Sequence, residues 1–135
     1  MNALLIARTT ETPRIDFNPQ SGLLKIEGRS WPEDVTPFYN PLMEWFKEYV
    51  ETPHSQTDFY VTLEYFNSAS SKMIYKLFII LTKIVDKGSK VTIHWCYQDD
   101  DEEMQEVGEE YRAAIHCSSD LYEFKLVSIE DYPMM

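Results

Sequence analysis

Glycine is scarce in this chain, four in 135 residues, and none falls in a GxGxxG pattern or a Walker-type loop, which removes the usual nucleotide-binding signatures. Cysteine is scarcer still. Cys96 and Cys117 form no CxxC pair and accompany no histidine cluster at metal spacing, so free thiols and no cofactor are expected. Positive charge is short as well: 12 Lys and Arg stand against 23 Asp and Glu, a net charge of -11. Nucleic-acid partners require basic patches that release counterions, and anionic membranes repel an acidic surface, so neither is expected as a partner. No stretch approaches the ~20 apolar residues of a membrane span. The opening MNALLIARTT has no basic leader and no cleavage site, so a cytoplasmic protein is expected.

What the chain does have is aromatic residues, 14% of the total, and apolar residues that recur at structural periods. That composition argues for a packed globule and against disorder. The length suits one domain, residues 1–135, with residues 1–11 as an arm and 130–135 as a tail, both loosely attached.

The stretch TDFYVTLEYFNSASSKMIYKLFIILTKIV, Thr57 to Val85, organises the rest. Phe59, Val61, Leu63 and Tyr65 alternate with Tyr60, Thr62, Glu64 and Phe66, which predicts a strand covered on at least one face. From Ser70 the period changes to that of a helix. Met73, Leu77, Ile80, Leu81 and Ile84 share one side, while Lys72, Lys76 and Lys83 face elsewhere. At the junction the first backbone N–H groups of the helix lack intrahelical partners, and Asn67, Ser68 and Ser70 are residues that cap such groups. The same oriented N–H groups favour an anion, so a phosphate on a serine here would meet donors and the Lys72 ammonium. Plain capping is the simpler reading of these residues alone.

Around this stretch the order is β-hairpin, helix, strand, helix, strand, helix, strand. Arg14–Phe17 and Leu23–Gly28 flank a tight reversal and form the hairpin, and Leu4–Ala7 is a short strand or an ordered arm. A first helix is predicted to begin at Asn40 as cap, with Pro41 in its first position and Arg29–Pro37 as a connecting loop. Gly88 caps the second helix, Val91–Tyr97 is the next strand, and Asp99–Glu103 precedes a third helix whose dipole those carboxylates complement. They lack the alternating ligands and the glycine of a calcium loop. Leu121–Ile129 is the last strand. Helical crossovers place the late strands parallel. The fold expected is therefore α/β: a single-domain mixed β-sheet with an N-terminal antiparallel hairpin, β-α-β-α-β crossovers and helices mainly on one face.

Catalysis finds little support. His54 lies in a proline-bounded loop, His94 alternates within a strand and His116 ends a helix, each suited to a structural or exposed role. A hydrolase would need one of them, His94 first, to reach Ser68. A non-enzyme is the favoured reading.

The segments TPRIDF, SGLLKIEGRSWPED, EWF, LEYFNSASSK, GSKVTIHWCYQDDDEEM and VGEEY resemble the SiaC family of bacterial regulatory phosphoproteins over Thr12 to Phe124. That family is similar in fold to the STAS-type anti-sigma-factor antagonists. The resemblance implies a partner-switching protein, phosphorylated by a protein kinase, restored by a PP2C-type phosphatase, and binding an effector such as a diguanylate cyclase when unmodified. It implies Ser68, after Asn67, as the phosphoacceptor, where the best-known relatives carry Thr; Ser70 and Ser71 are alternatives. The partner-binding surface expected is Asn67, Ser68, Ala69, Ser70, Ser71, Lys72 and Lys76, because there a serine cluster stands beside a lysine stripe on an otherwise acidic chain. The alternative is a constitutive scaffold or small-ligand-binding domain in which the serines only cap.

Overall fold

The computed structural model describes residues 1–130. Six strands form one sheet in the order of the chain: β1 (Leu4–Ile6), β2 (Arg14–Asn18), β3 (Leu23–Ser30), β4 (Gln56–Phe66), β5 (Lys90–Gln98) and β6 (Tyr122–Ile129). The first three pair antiparallel, and β3 to β6 pair parallel, each reached from the one before through a helix. Those helices are α1 (Thr36–Tyr49), α2 (Ser68–Thr82) and α3 (Glu102–Ala114). Successive right-handed crossovers in one direction stack all of them on one side of the sheet, and the burial pattern agrees. Ile15 and Phe17, Leu24 and Ile26, Phe59, Val61 and Leu63, Val91, Ile93 and Trp95, and Phe124 line one buried face. A chain of aromatic contacts runs through it: Phe17–Phe46, Phe46–Phe59, Phe59–Phe78 and Phe78–Phe124, with centroids 5.1, 5.2, 5.7 and 5.7 Å apart. The opposite face carries Lys25, Glu27, Tyr60, His94 and Lys125.

The mixed sheet, the hairpin and the crossovers are those expected from the sequence. Three departures have physical causes. Residues 4–6 form the short strand that was one reading of Leu4–Ala7, but the segment is not loosely attached: it pairs with β2, and the Trp45 indole N–H donates to Asn2 O at 2.9 Å. Glu130 follows β6, while residues 131–135 of the expected tail lie outside the described residues.

The first helix begins four residues before Asn40. Asp34 Oδ1 accepts the Thr36 N–H at 3.1 Å, and Pro37 takes an N-terminal position where it forfeits no bond. Pro41 then lies inside the helix and leaves the Pro37 carbonyl without its partner; both prolines are exposed, so water can reach that carbonyl. Tyr39, predicted outside the helix, is buried at the close of its first turn.

The third departure lies in β4. Gly28 pairs with Leu63 but Arg29 pairs with Tyr65, so Glu64 is an extra residue in the ladder, a β-bulge. The bulge reverses the facing of everything after it. Tyr65, expected on the side of Phe59, Val61 and Leu63, is 54% exposed, while Phe66 turns inward with its ring 5.9 Å from that of Trp95.

Candidate functional site

The junction after β4 is held from two sides. Asn67 caps α2, its Oδ1 accepting the Ser70 N–H at 2.8 Å. The same residue reaches across to the chain leaving β3: its N–H donates to Ser30 O at 2.9 Å and its Nδ2 to Pro32 O at 3.2 Å. Asn67 is thus both a helix cap and a clamp on residues 30–32.

The three serines at this point meet three different fates. Ser70 is fully buried, and its Oγ accepts a hydrogen bond from Ser30 Oγ at 2.8 Å. Because Ser30 spends its one proton there, the Tyr39 hydroxyl, 2.6 Å away, is the donor to Ser30. Burial pushes the Tyr39 phenol up to about 12, against the smaller opposite pull of the Ser30 and Ser70 hydrogen bonds. Ser71 is half-buried. Tyr111 donates to Ser71 O at 2.8 Å, so the Ser71 hydroxyl donates to Tyr111 Oη, also at 2.8 Å. Burial likewise raises Tyr111 to about 12.

Ser68 alone of the three is exposed, in the first turn of α2, and among the described residues no side-chain hydrogen bond holds its hydroxyl. It borders a groove of about 450 Å³ between the end of β4, the start of α2 and α3. Glu64, Asp101, Glu103 and Glu110 line that groove, with Lys72 the cation among them.

The structure therefore breaks up the expected recognition surface. Asn67 is half-buried and structural in its contacts, while Ser68, Ala69, Lys72 and Lys76 are exposed. Lys76 and Lys72 border a second, more apolar groove of about 530 Å³ between α2 and α3. Ser70 is a correction: its side chain is sealed under the helix start and presents nothing to a visitor. Sequence reasoning missed Ser30 and Tyr39, which seal it. A signal was present, because Ser30 continues the buried alternation Leu24, Ile26, Gly28 in β3.

Ser68 has no histidine in its groove. His94 lies on the far side of the sheet, its Nε2 2.9 Å from Asp58 Oδ1 and its ring stacked on Tyr60 at 4.0 Å. His54 Nδ1 is 2.9 Å from Gln56 O. A serine-histidine pair at Ser68 is thus not assembled. Among the described residues no group of three or more His, Cys, Asp or Glu is arranged to hold a metal, and no helix is long and apolar enough to cross a membrane.

A single mixed α/β sheet with an exposed serine hydroxyl at a helix start is an arrangement that more than one family of domains can carry. Comparison with known proteins identifies which. The model of the SiaC family of regulatory phosphoproteins matches residues 6–127, and the chain belongs to that family. It is 27% identical over 112 residues to an uncharacterised protein of Pseudomonas aeruginosa strain UCBPP-PA14, covering 83% of this chain and 89% of that one. Apo-SiaC from Pseudomonas aeruginosa superposes with a TM-score of 0.80 at 26% identity, over 94% of this chain and 99% of the other. A structure of the diguanylate cyclase SiaD in complex with its activator SiaC, from the same organism, gives a TM-score of 0.82 at 25% identity, over 93% and 99%.

Proposed function

We propose that this chain is a partner-switching regulator whose state is written on Ser68. A cognate protein kinase transfers the terminal phosphoryl group of ATP to Ser68 Oγ, and a PP2C-type phosphatase hydrolyses the ester back to the alcohol and inorganic phosphate. The unmodified form, in the cytoplasm, binds and regulates a diguanylate cyclase, an enzyme that makes cyclic di-GMP. The chain itself catalyses nothing in this cycle.

The observation that carries the reading is the contrast among three neighbouring hydroxyls: Ser70 and Ser71 are engaged in hydrogen bonds, and Ser68 is exposed at a helix start. Phosphate adds about -1.5 to -2 charges at that point. The α2 N–H groups and Lys72 accommodate it within the chain, while Glu64, Asp101, Glu103 and Glu110 already make the groove acidic. A partner surface seated over Ser68 would have to bury that added charge or repel it, and affinity falls either way.

Labelling with the cognate kinase, read by mass spectrometry, should place the phosphate on Ser68 and disappear in Ser68→Ala. Cyclase binding should weaken about tenfold or more in Ser68→Asp, the scale of like charges meeting at an interface. Labelling that persists at Ser71 in Ser68→Ala would refute the assignment. Cyclase binding indifferent to phosphate would favour a constitutive scaffold.

A further inference from the structure

Cations are rare on this chain, yet three of its four arginines, Arg8, Arg14 and Arg29, gather round one shallow basin of about 640 Å³ with Trp31 at its rim. Among the described residues no carboxylate lines that basin. Trp31 is 44% exposed although its N–H is already used, donating to Thr10 O at 2.9 Å, so what the indole offers a partner is apolar ring surface. Beside it, Arg29 pairs in register with the exposed Tyr65, and Arg29, Trp31, Glu64 and Tyr65 line an adjoining groove of about 430 Å³. Tyr65 and Glu64 in turn border the Ser68 groove.

The patch is also bonded to the Ser68 junction, since Asn67 clamps the backbone on either side of Trp31, at Ser30 and at Pro32. Trp, Tyr and Arg are the residues that dominate binding energy at protein interfaces. The arginines are incompletely satisfied within the chain. Arg29 Nε holds Glu64 at 2.9 Å, but Arg8 stands 3.7 Å from the same carboxylate and Arg14 is 3.4 Å from Asp16 and 3.7 Å from Glu27. Their remaining forked N–H groups can take further carboxylate oxygens.

We propose that Trp31, Tyr65, Arg8 and Arg29 form the docking surface for an acidic segment of the cyclase, one that lays an apolar side chain on the aromatic pair and its carboxylates on the arginines. The inference rests on the reading of this chain as a cyclase regulator, and it moves the principal contact from the lysines of α2 to the end of β3 and the bulge of β4. Charge complementarity selects an acidic occupant: this is a basin lined by three arginines on a chain that is otherwise strongly acidic, with a net charge of -11. It also supplies the switch. A phosphate on Ser68 enters the groove that Tyr65 and Glu64 share with the patch and repels the same acidic segment.

The test measures binding of the full chain to the source organism's SiaD-like diguanylate cyclase. Trp31→Ala and Arg29→Ala should each weaken binding about tenfold or more, as interface anchors do, with the thermal midpoint close to wild type because both side chains are exposed. Lys87→Ala, at the end of the 3-10 segment Lys83–Lys87 that follows α2, should bind as wild type. Raising salt from low to high should weaken wild-type binding, and this dependence should flatten in Arg8→Ala combined with Arg29→Ala. A wild-type chain that does not bind the cyclase overturns the functional reading and this inference together. Wild-type binding retained in Trp31→Ala combined with Arg29→Ala overturns the inference alone. So does a Trp31→Ala effect confined to self-association in sedimentation, which would make the patch a contact between copies.

Discussion

Ser70→Ala and Ser68→Ala remove the same atom two residues apart and should behave as opposites. In Ser70→Ala the Ser30 hydroxyl, which is fully buried, loses the acceptor it holds at 2.8 Å. An orphaned buried donor costs about 1–3 kcal/mol. For a chain of this length roughly 4 °C of melting temperature corresponds to each kcal/mol, so the midpoint should fall by about 4–12 °C. Kinase labelling of the folded variant should persist. Ser68→Ala removes an exposed hydroxyl with no side-chain partner, so stability should stay within about 0.5 kcal/mol, or roughly 2 °C, while labelling is lost. Thermal unfolding followed by circular dichroism, alongside phosphate incorporation below both midpoints, reads the two quantities separately. The reasoning is refuted if Ser70→Ala melts like wild type or if it, and not Ser68→Ala, abolishes labelling.

Gly108 lies in α3 where a Cβ would collide with the Trp95 and Leu126 side chains. Gly108→Ala gains about 1 kcal/mol of helix propensity but overpacks by about 1–3 kcal/mol, so the urea midpoint should fall; a rise would show that the sheet yields. At alkaline pH, Tyr39 and Tyr111 ionise near 10 when unfolded but at about 12 when folded. The folded state therefore holds more protons between those values, and stability complete below pH 10 is lost as pH rises towards 12. The two phenols together set a slope of about 2.7 kcal/mol per pH unit. Denaturant melts across that range should show it, Tyr39→Phe should flatten it, and an unchanged slope in that variant would contradict the burial account.

Much of this architecture was legible because local signals and packing agree. The alternation of Phe59, Val61 and Leu63 and the cap at Asn67 specify the elements they belong to, whereas Gly88, expected to cap α2, instead closes the 3-10 segment Lys83–Lys87 that follows it. Where the reading failed, a tertiary contact outvoted a local one. Asn40-Pro41 is a reasonable helix start by itself, but the burial of Tyr39 against Ser30 and the Asp34 side chain begin the helix earlier. Tyr65 reads as an inward residue until the extra residue Glu64 reverses the strand, and a bulge leaves no composition signal of its own. The serine cluster was legible as a helix start, yet which hydroxyl faces outward depends on Ser30 and Tyr111, each 40 residues away from the serine it bonds.

The parallel strands advance in one direction across the sheet and never double back. Open sheets of this kind usually hold their ligands where the order of strands reverses and two neighbouring loops part to leave a crevice. Here the loops at the strand tips follow one another like teeth of a comb, and the groove that Ser68 borders between two of them is an open furrow. Such a ridge is suited to being handled by larger bodies, and a chemical mark placed on one tooth is felt by whatever closes over the row.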